Sequence, residues 1–340
     1  MTGRPLSPRK RRAGGQAGFS LVELMVAMTV GLLLVAGLAI FFANSLQSST
    51  ELDKSIRQME NGRYAVDLLG KDITVAGYYG EVPLTGLTFV VPDACTTALT
   101  SLGWNNASAT IPAPIAGLSA TEAAALSCIP NYRTGTVALV VRRLHTAAVA
   151  PASVLAGTAY VQSSSCADST IDLSSVNFIF SATASDFTLH DLSCTAINSV
   201  RKYITRIYYV ANCNECGIDT IPTLKRAELV GTQFVVSPLS EGIEKIAFDY
   251  GFDTNADGAP DIWRTGLSGV AGAADSDWSN VVAARLYVLS RTTEGSAGYN
   301  DTKTYQMGLS GSTGPFNDNI KRRAYATTVR LNNVADAREP

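Results

Sequence analysis

Residues 18–43 read GFSLVELMVAMTVGLLLVAGLAIFFA, and the rest of the chain is interpreted from this stretch. Leu24 to Ala43 is a run of 20 uncharged residues. At about 1.5 Å rise per residue it reaches roughly 30 Å, the thickness of a bilayer's hydrocarbon core, so it can cross a membrane as one helix. A secretory signal has a shorter apolar core followed by a small-residue cleavage site, and neither is present, so the segment is expected to be retained. Met1 to Gly18 carries Arg4, Arg9, Lys10, Arg11 and Arg12 and no acid, and without these residues the net charge falls from -2 to -7. Positive charge before the span and none just after it predicts a cytoplasmic leader and a C-terminal body outside, in the periplasm of a bacterium.

Beyond the span the chain turns polar but keeps Leu52, Ile56, Met59, Val66, Leu69 and Ile73, mostly three or four apart, with Arg63 filling the gap. That spacing continues the helix with one face toward a core. Gly77-Tyr78-Tyr79-Gly80 followed by Pro83 stops it, giving one helix of roughly 55 residues. Strand signals follow. Val137–Arg143 is β-branched, and Tyr203–Val210 alternates as a strand buried on one face and aromatic on the other. Ile246, Phe248, Tyr250 and Phe252 form a period-two face, and Val281–Leu289 and Tyr325–Leu331 are two further strands. Residues 92–130 are rich in Ala, Thr, Ser and Pro and read as loop. A long helix feeding an antiparallel sheet is an α+β pattern.

The stretch Gly18-Phe19-Ser20-Leu21-Val22-Glu23-Leu24-Met25-Val26-Ala27 behind a basic leader resembles the N-terminal motif of type IV pilins and type II secretion pseudopilins. The resemblance implies cleavage between Gly18 and Phe19 by prepilin peptidase, N-methylation of Phe19, and an assembly role for Glu23 at mature position five. It also implies the pilin fold, an amphipathic half-helix packed on an antiparallel sheet, here with a loop-rich insertion. The late segments Val281–Arg291 and Arg322–Asn332 look like those of PilW-type minor pilins. The division expected is a cleaved leader at 1–18, a transmembrane helix at 19–43, its amphipathic continuation at 44–77 and a periplasmic β-rich domain at 78–340.

Within that domain, Asp253-Thr-Asn255-Ala-Asp257-Gly258-Ala-Pro-Asp261 sets oxygen side chains at alternating positions around a glycine. An EF-hand needs a bidentate Glu at its twelfth position, where this chain has Arg264. The loop resembles the shorter Asp-rich calcium loops of extracellular domains, with Asp253, Asn255, Asp257 and Asp261 as Ca2+ ligands; the competing reading is an Asx turn between strands. The six cysteines, Cys95, Cys128, Cys166, Cys194, Cys213 and Cys216, suit disulfides in an oxidising compartment. Sequential pairing is the simplest of the 15 connectivities six cysteines allow. Arg142-Arg143, Arg201-Lys202 and Lys321-Arg322-Arg323 read as charges that keep strand ends soluble, and a nucleic-acid partner is disfavoured for a body at -7.

With two histidines, no Walker loop, no dinucleotide fingerprint and no nucleophile elbow, catalysis is not expected. The reading is a minor pilin of the inner membrane, later part of a pilus. Its expected partners are other pilins, prepilin peptidase and the assembly machinery. The rivals are a type II secretion pseudopilin and, from another class, a membrane-tethered periplasmic hydrolase or adhesin.

Overall fold

The apolar run and its polar continuation form one helix, α1 (Leu21–Thr74, 54 residues), in the computed structural model, which describes residues 18–84, 86–168, 170–172, 178–267 and 270–339. The leader's arginines and lysine lie outside the described residues. The chain divides after Asp53 into two compact units. In the first, every residue from 18 to 50 is exposed, including Phe19 at 83% and Leu33 at 73%. The Thr29 hydroxyl donates back to the carbonyl of Val26 at 2.9 Å and that of Thr50 to Leu46 at 2.9 Å. Both hydroxyls are thus satisfied within the helix, as an apolar surrounding requires. By length and composition α1 can cross a membrane.

The second unit begins at Lys54. Its part of α1 buries Gln58, Gly62, Ala65, Leu69, Asp72 and Ile73. The expected stripe holds at Leu69 and Ile73 and is corrected at Leu52 and Ile56, which are 61% and 48% exposed; the rest of the contact line is small and polar residues. The reason is close approach to the sheet. At Gly62 a Cβ would fall inside the ring of Tyr325, and Gln58 donates to the carbonyls of Ser290 and Lys321, both at 3.1 Å. The stop is as read: Gly77 takes φ +73°, and its amide donates to the carbonyl of Arg142 at 3.0 Å.

The strands are β1 (Thr88–Val90), β2 (Thr110–Pro112), β3 (Ile115–Leu118), β4 (Ala138–Leu144), β5 (Tyr160–Ser163), β6 (Phe178–Ser181), β7 (Arg201–Ala211) and β8 (Thr223–Val230). After them come β9 (Gln233–Glu241), β10 (Ile243–Phe252), β11 (Ile262–Arg264), β12 (Val281–Arg291), β13 (Tyr305–Gln306), β14 (Ser312–Thr313) and β15 (Arg322–Arg330). Short helices α2 (Ala120–Ala124) and α3 (Asn332–Asp336) complete the unit. The larger sheet runs β3-β4-β7-β5-β6, with β8 also on β7 and β9 on β8. The smaller one runs β11-β10-β12-β15, and every pairing within both sheets is antiparallel. The region read as loop at 92–130 therefore carries β2, β3 and α2.

One apolar core joins Ala65, Leu69 and Ile73 of α1 to Ile207 of β7, Phe248 of β10 and Leu286 of β12. The period-two face of β10 is borne out, with Ile246, Phe248, Tyr250 and Phe252 all under 5% exposed. For β7 the one-sided reading is corrected. From Tyr203 to Val210 only Arg206 escapes full burial, because β7 is a central strand covered on both faces. A second core sets Trp104 against Tyr79 and Phe178 edge-on, with ring centroids 5.2 Å apart in each case.

Candidate functional site

The site singled out by the sequence is the start of α1. Gly18, Phe19 and Ser20 precede the helix, so the Gly18–Phe19 bond lies outside helical structure, where a peptidase can reach it. Ser20 caps the helix: its Oγ accepts from the amide of Glu23 at 3.2 Å, and its carbonyl accepts from Leu24 at 3.1 Å. Glu23 sits in the first turn, where the helix dipole favours a negative charge. It is exposed, and its carboxylate has no partner among the described residues. No other residue from Phe19 to Thr50 is charged.

The reverse holds at Asp72, which sequence reasoning missed. It is 6% exposed and accepts from Arg143 Nε at 3.2 Å, Arg206 Nη1 at 2.9 Å and the Tyr208 hydroxyl at 2.7 Å. Burial alone would lower the Arg206 pKa, but Asp72, Tyr208 and Glu228 together raise it. Burial and then Asp72 push the Tyr208 hydroxyl up. The available signal was an acid inside the buried line of α1 together with Arg206 in the middle of a strand whose Tyr203–Val210 stretch carries no other charge.

The reading of the basic clusters is corrected at three residues. Arg143 pairs with Asp72, and Arg142 is 1% exposed, donating to the carbonyl of Pro92 at 3.1 Å. Arg322 is buried against Glu244 at 2.5 Å, Asp301 at 3.1 Å and Asp318 at 2.6 Å. Hydrogen bonding to Arg322 holds Asp318 below the usual carboxylate range. Arg143 and Arg322 thus form internal ion pairs and Arg142 is buried on carbonyls, whereas Arg323 is exposed as a strand-end charge would be.

The cysteines pair as the simplest reading had it, Cys95–Cys128, Cys166–Cys194 and Cys213–Cys216. His190 Nδ1 lies 2.8 Å from Asp172 Oδ1, yet Ser164 donates to that same carboxylate and not to the imidazole. The three do not have the order of a Ser-His-Asp triad.

The 253–261 loop forms as the Asx-type turn. Asp253 is 1% exposed, its Oδ1 taking the amides of Asn255 at 3.1 Å and Ala256 at 2.7 Å and its Oδ2 that of Gly258 at 3.0 Å. Arg338 approaches the same carboxylate at 3.7 Å. Burial raises the Asp253 pKa, but the three amides and Arg338 outweigh it and hold it below its ordinary value. Asp261 Oδ2 accepts from the amide and hydroxyl of Thr254, both at 2.8 Å, while Asn255 aims its nitrogen at Asp257, 3.1 Å away. Calcium needs converging free oxygens. Among the described residues no group of three or more His, Cys, Asp or Glu is gathered for a metal. As arranged, these oxygens are taken up by amide and hydroxyl donors, and an ion would have to displace them and turn Asn255.

Comparison with known proteins agrees with the resemblance. A family model described as "Type IV Pilus-assembly protein W" matches residues 207–333, from β7 through β15 into α3. A second, "Prokaryotic N-terminal methylation motif", matches residues 14–39. No curated protein and no solved structure matches the chain. The methylation motif lies at the capped helix start and the longer match on the strands that carry the core, and together they support a type IV minor pilin of the PilW-like kind.

Proposed function

We propose that this minor pilin is cut between Gly18 and Phe19 by prepilin peptidase, methylated on the new Phe19 amine, and added to the pilus through residues 19–53. Before addition it rests in the inner membrane by a single span, with the unit from Lys54 onward in the periplasm. The observation that carries this reading is Glu23, the one charged side chain from 19 to 50, a fully exposed and mostly apolar stretch, standing without a partner on the first turn of α1.

Near the membrane edge, Glu23 costs less than the about 2.5 to 3.5 kcal/mol of a charge at the helix centre, so insertion tolerates it. Among bundled apolar helices, water is excluded and a carboxylate needs a partner charge. Cleavage creates that charge at the amino terminus of Phe19. A pair between Glu23 of an incoming subunit and Phe19 of its neighbour fixes their axial register. The test is Glu23→Val, followed by intact mass and by recovery from sheared pili. The expected product is cleaved, membrane-inserted and absent from fibres. Normal incorporation overturns the role of Glu23, and an untrimmed mass overturns the processing step separately.

A further inference from the structure

Sheet edges are usually blunted by shortness, proline, bulges or charge, because an open edge templates pairing with another chain. Four of the five outer strands here follow that rule. β3 and β6 have 4 residues each and β11 has 3. β9 has 9, but it carries Pro238 and a register shift against β8. The fifth, β15, carries its charges, Arg322, Arg323 and Arg330, only at its two ends. Its 9 residues pair with β12 without a register shift, and Ala324-Tyr325-Ala326-Thr327-Thr328-Val329 contains no charge and no proline. Among the described residues no strand pairs with its other side.

Alongside β15 lies a cleft of about 430 Å³, walled by Arg63, Asp67 and Lys71 of α1 and by Tyr325, Thr327 and Val329 of β15. Some of its charges are already matched. Lys71 holds Asp67 at 2.6 Å, and Arg330 holds Asp336 at 2.8 Å and also Glu339. Arg63 and Arg323 have no acidic partner among the described residues; Arg323 lies over the Tyr325 ring, 5.5 Å from its centroid. Tyr325 packs against Gly62, so Arg63, which lines the cleft, and Arg323, which lies over the Tyr325 ring beside it, flank the same helix-to-strand contact.

We propose that β15 and this cleft receive an extended strand from a second, non-identical chain, added to the sheet with acidic side chains beside Arg63 and Arg323. Main-chain hydrogen bonds along β15 supply the affinity, and the arginines supply the choice of partner and of direction. A second copy of β15 is the weaker occupant, since residues 322–330 include no acid to meet those arginines.

The test uses the full-length chain in detergent and two synthetic peptides as long as β15, of alternating Val and Thr, one ending in glutamates and its twin in lysines. The glutamate peptide should bind and protect β15 amides from hydrogen exchange, with the twin at least about tenfold weaker. Double replacement Arg63→Ala with Arg323→Ala should erase that difference. Neighbouring amides of a strand point to opposite sides, so one of Ala326→Pro and Thr327→Pro removes an outward N–H while sparing the β12 ladder. The variant with unchanged melting should bind the glutamate peptide about tenfold more weakly. The proposal is overturned by no binding up to about 1 mM, by no new protection on β15, or by equal binding in the fold-retaining proline variant. Self-association without peptide, abolished by that same variant, would overturn it in favour of a second copy.

Discussion

Two of the carboxylates on helix α1 stand in opposite conditions. Glu23 is exposed and unpartnered on a segment where every side chain from 18 to 50 is exposed. Asp72 is buried among Arg143, Arg206 and Tyr208. The first is a surface awaiting a partner and the second a surface already completed within its own chain. The same charge thus serves assembly at one position and folding at the other, according to whether the cation arrives from outside or from the next strand.

The comparison breaks first at Glu23. Glu23→Val should abolish incorporation into fibres while leaving the melting of the Lys54-onward unit unchanged, read by sheared-pilus yield and by calorimetry. Asp72→Ala should do the opposite, destabilising that unit by about 3 to 5 kcal/mol, because three buried donors lose their acceptor. Chemical denaturation measures this, and Asp72→Asn should fall between the two. Smaller is the effect at the helix-to-sheet contact. Gly62→Leu should cost about 1 to 3 kcal/mol through overpacking against Tyr325, partly offset by up to about 1 kcal/mol of helix propensity. Combination with Tyr325→Ala should recover most of the loss.

Acid gives a finer test. The Asp253 pKa is depressed in the folded state by its amide donors and Arg338, once the opposing effect of burial is overcome. Its contribution is therefore fully present above the unfolded carboxylate value of about 4 and is lost as pH falls through the folded value below it. The stability gap between wild type and Asp253→Asn should be constant from neutral pH to about 5 and shrink below about 4. The smallest effect is expected from calcium. Since amides and Arg338 close the loop, EDTA should leave melting unchanged; a rise in melting at several millimolar calcium would show that the loop rearranges to take the ion.

The two ends of α1 were unequally legible. Residues 18–43 could be read directly, since a span is set by length and by absence of charge, both local properties. The face of α1 beyond Lys54 was read only in part: Leu69 and Ile73 are buried as their spacing implied, but Gln58, Gly62, Ala65 and Asp72, which share the contact, lay outside the pattern followed. A small residue signals close approach only once its opposite number, Tyr325, is known, some 260 residues later in the chain. Arg142 and Arg322 looked like surface charges because the Pro92 carbonyl and the Glu244 carboxylate that bury them are remote in sequence. The disulfides were easier, as each closes on its neighbour. The Asp253 loop gave two local readings, and the amide geometry favours the turn.

The bonds from Gln58 to Ser290 and Lys321 span 232 and 263 residues. During synthesis the amphipathic half of α1 is therefore made long before β12 and β15, the strands on which it finally rests. Folding of this unit is dominated by distant pairings, which places it among slow folders. Until Arg330 has been added, the line from Gln58 to Ile73 has no complete bed, so a chain truncated before β15 should leave that helix face open to misassociation.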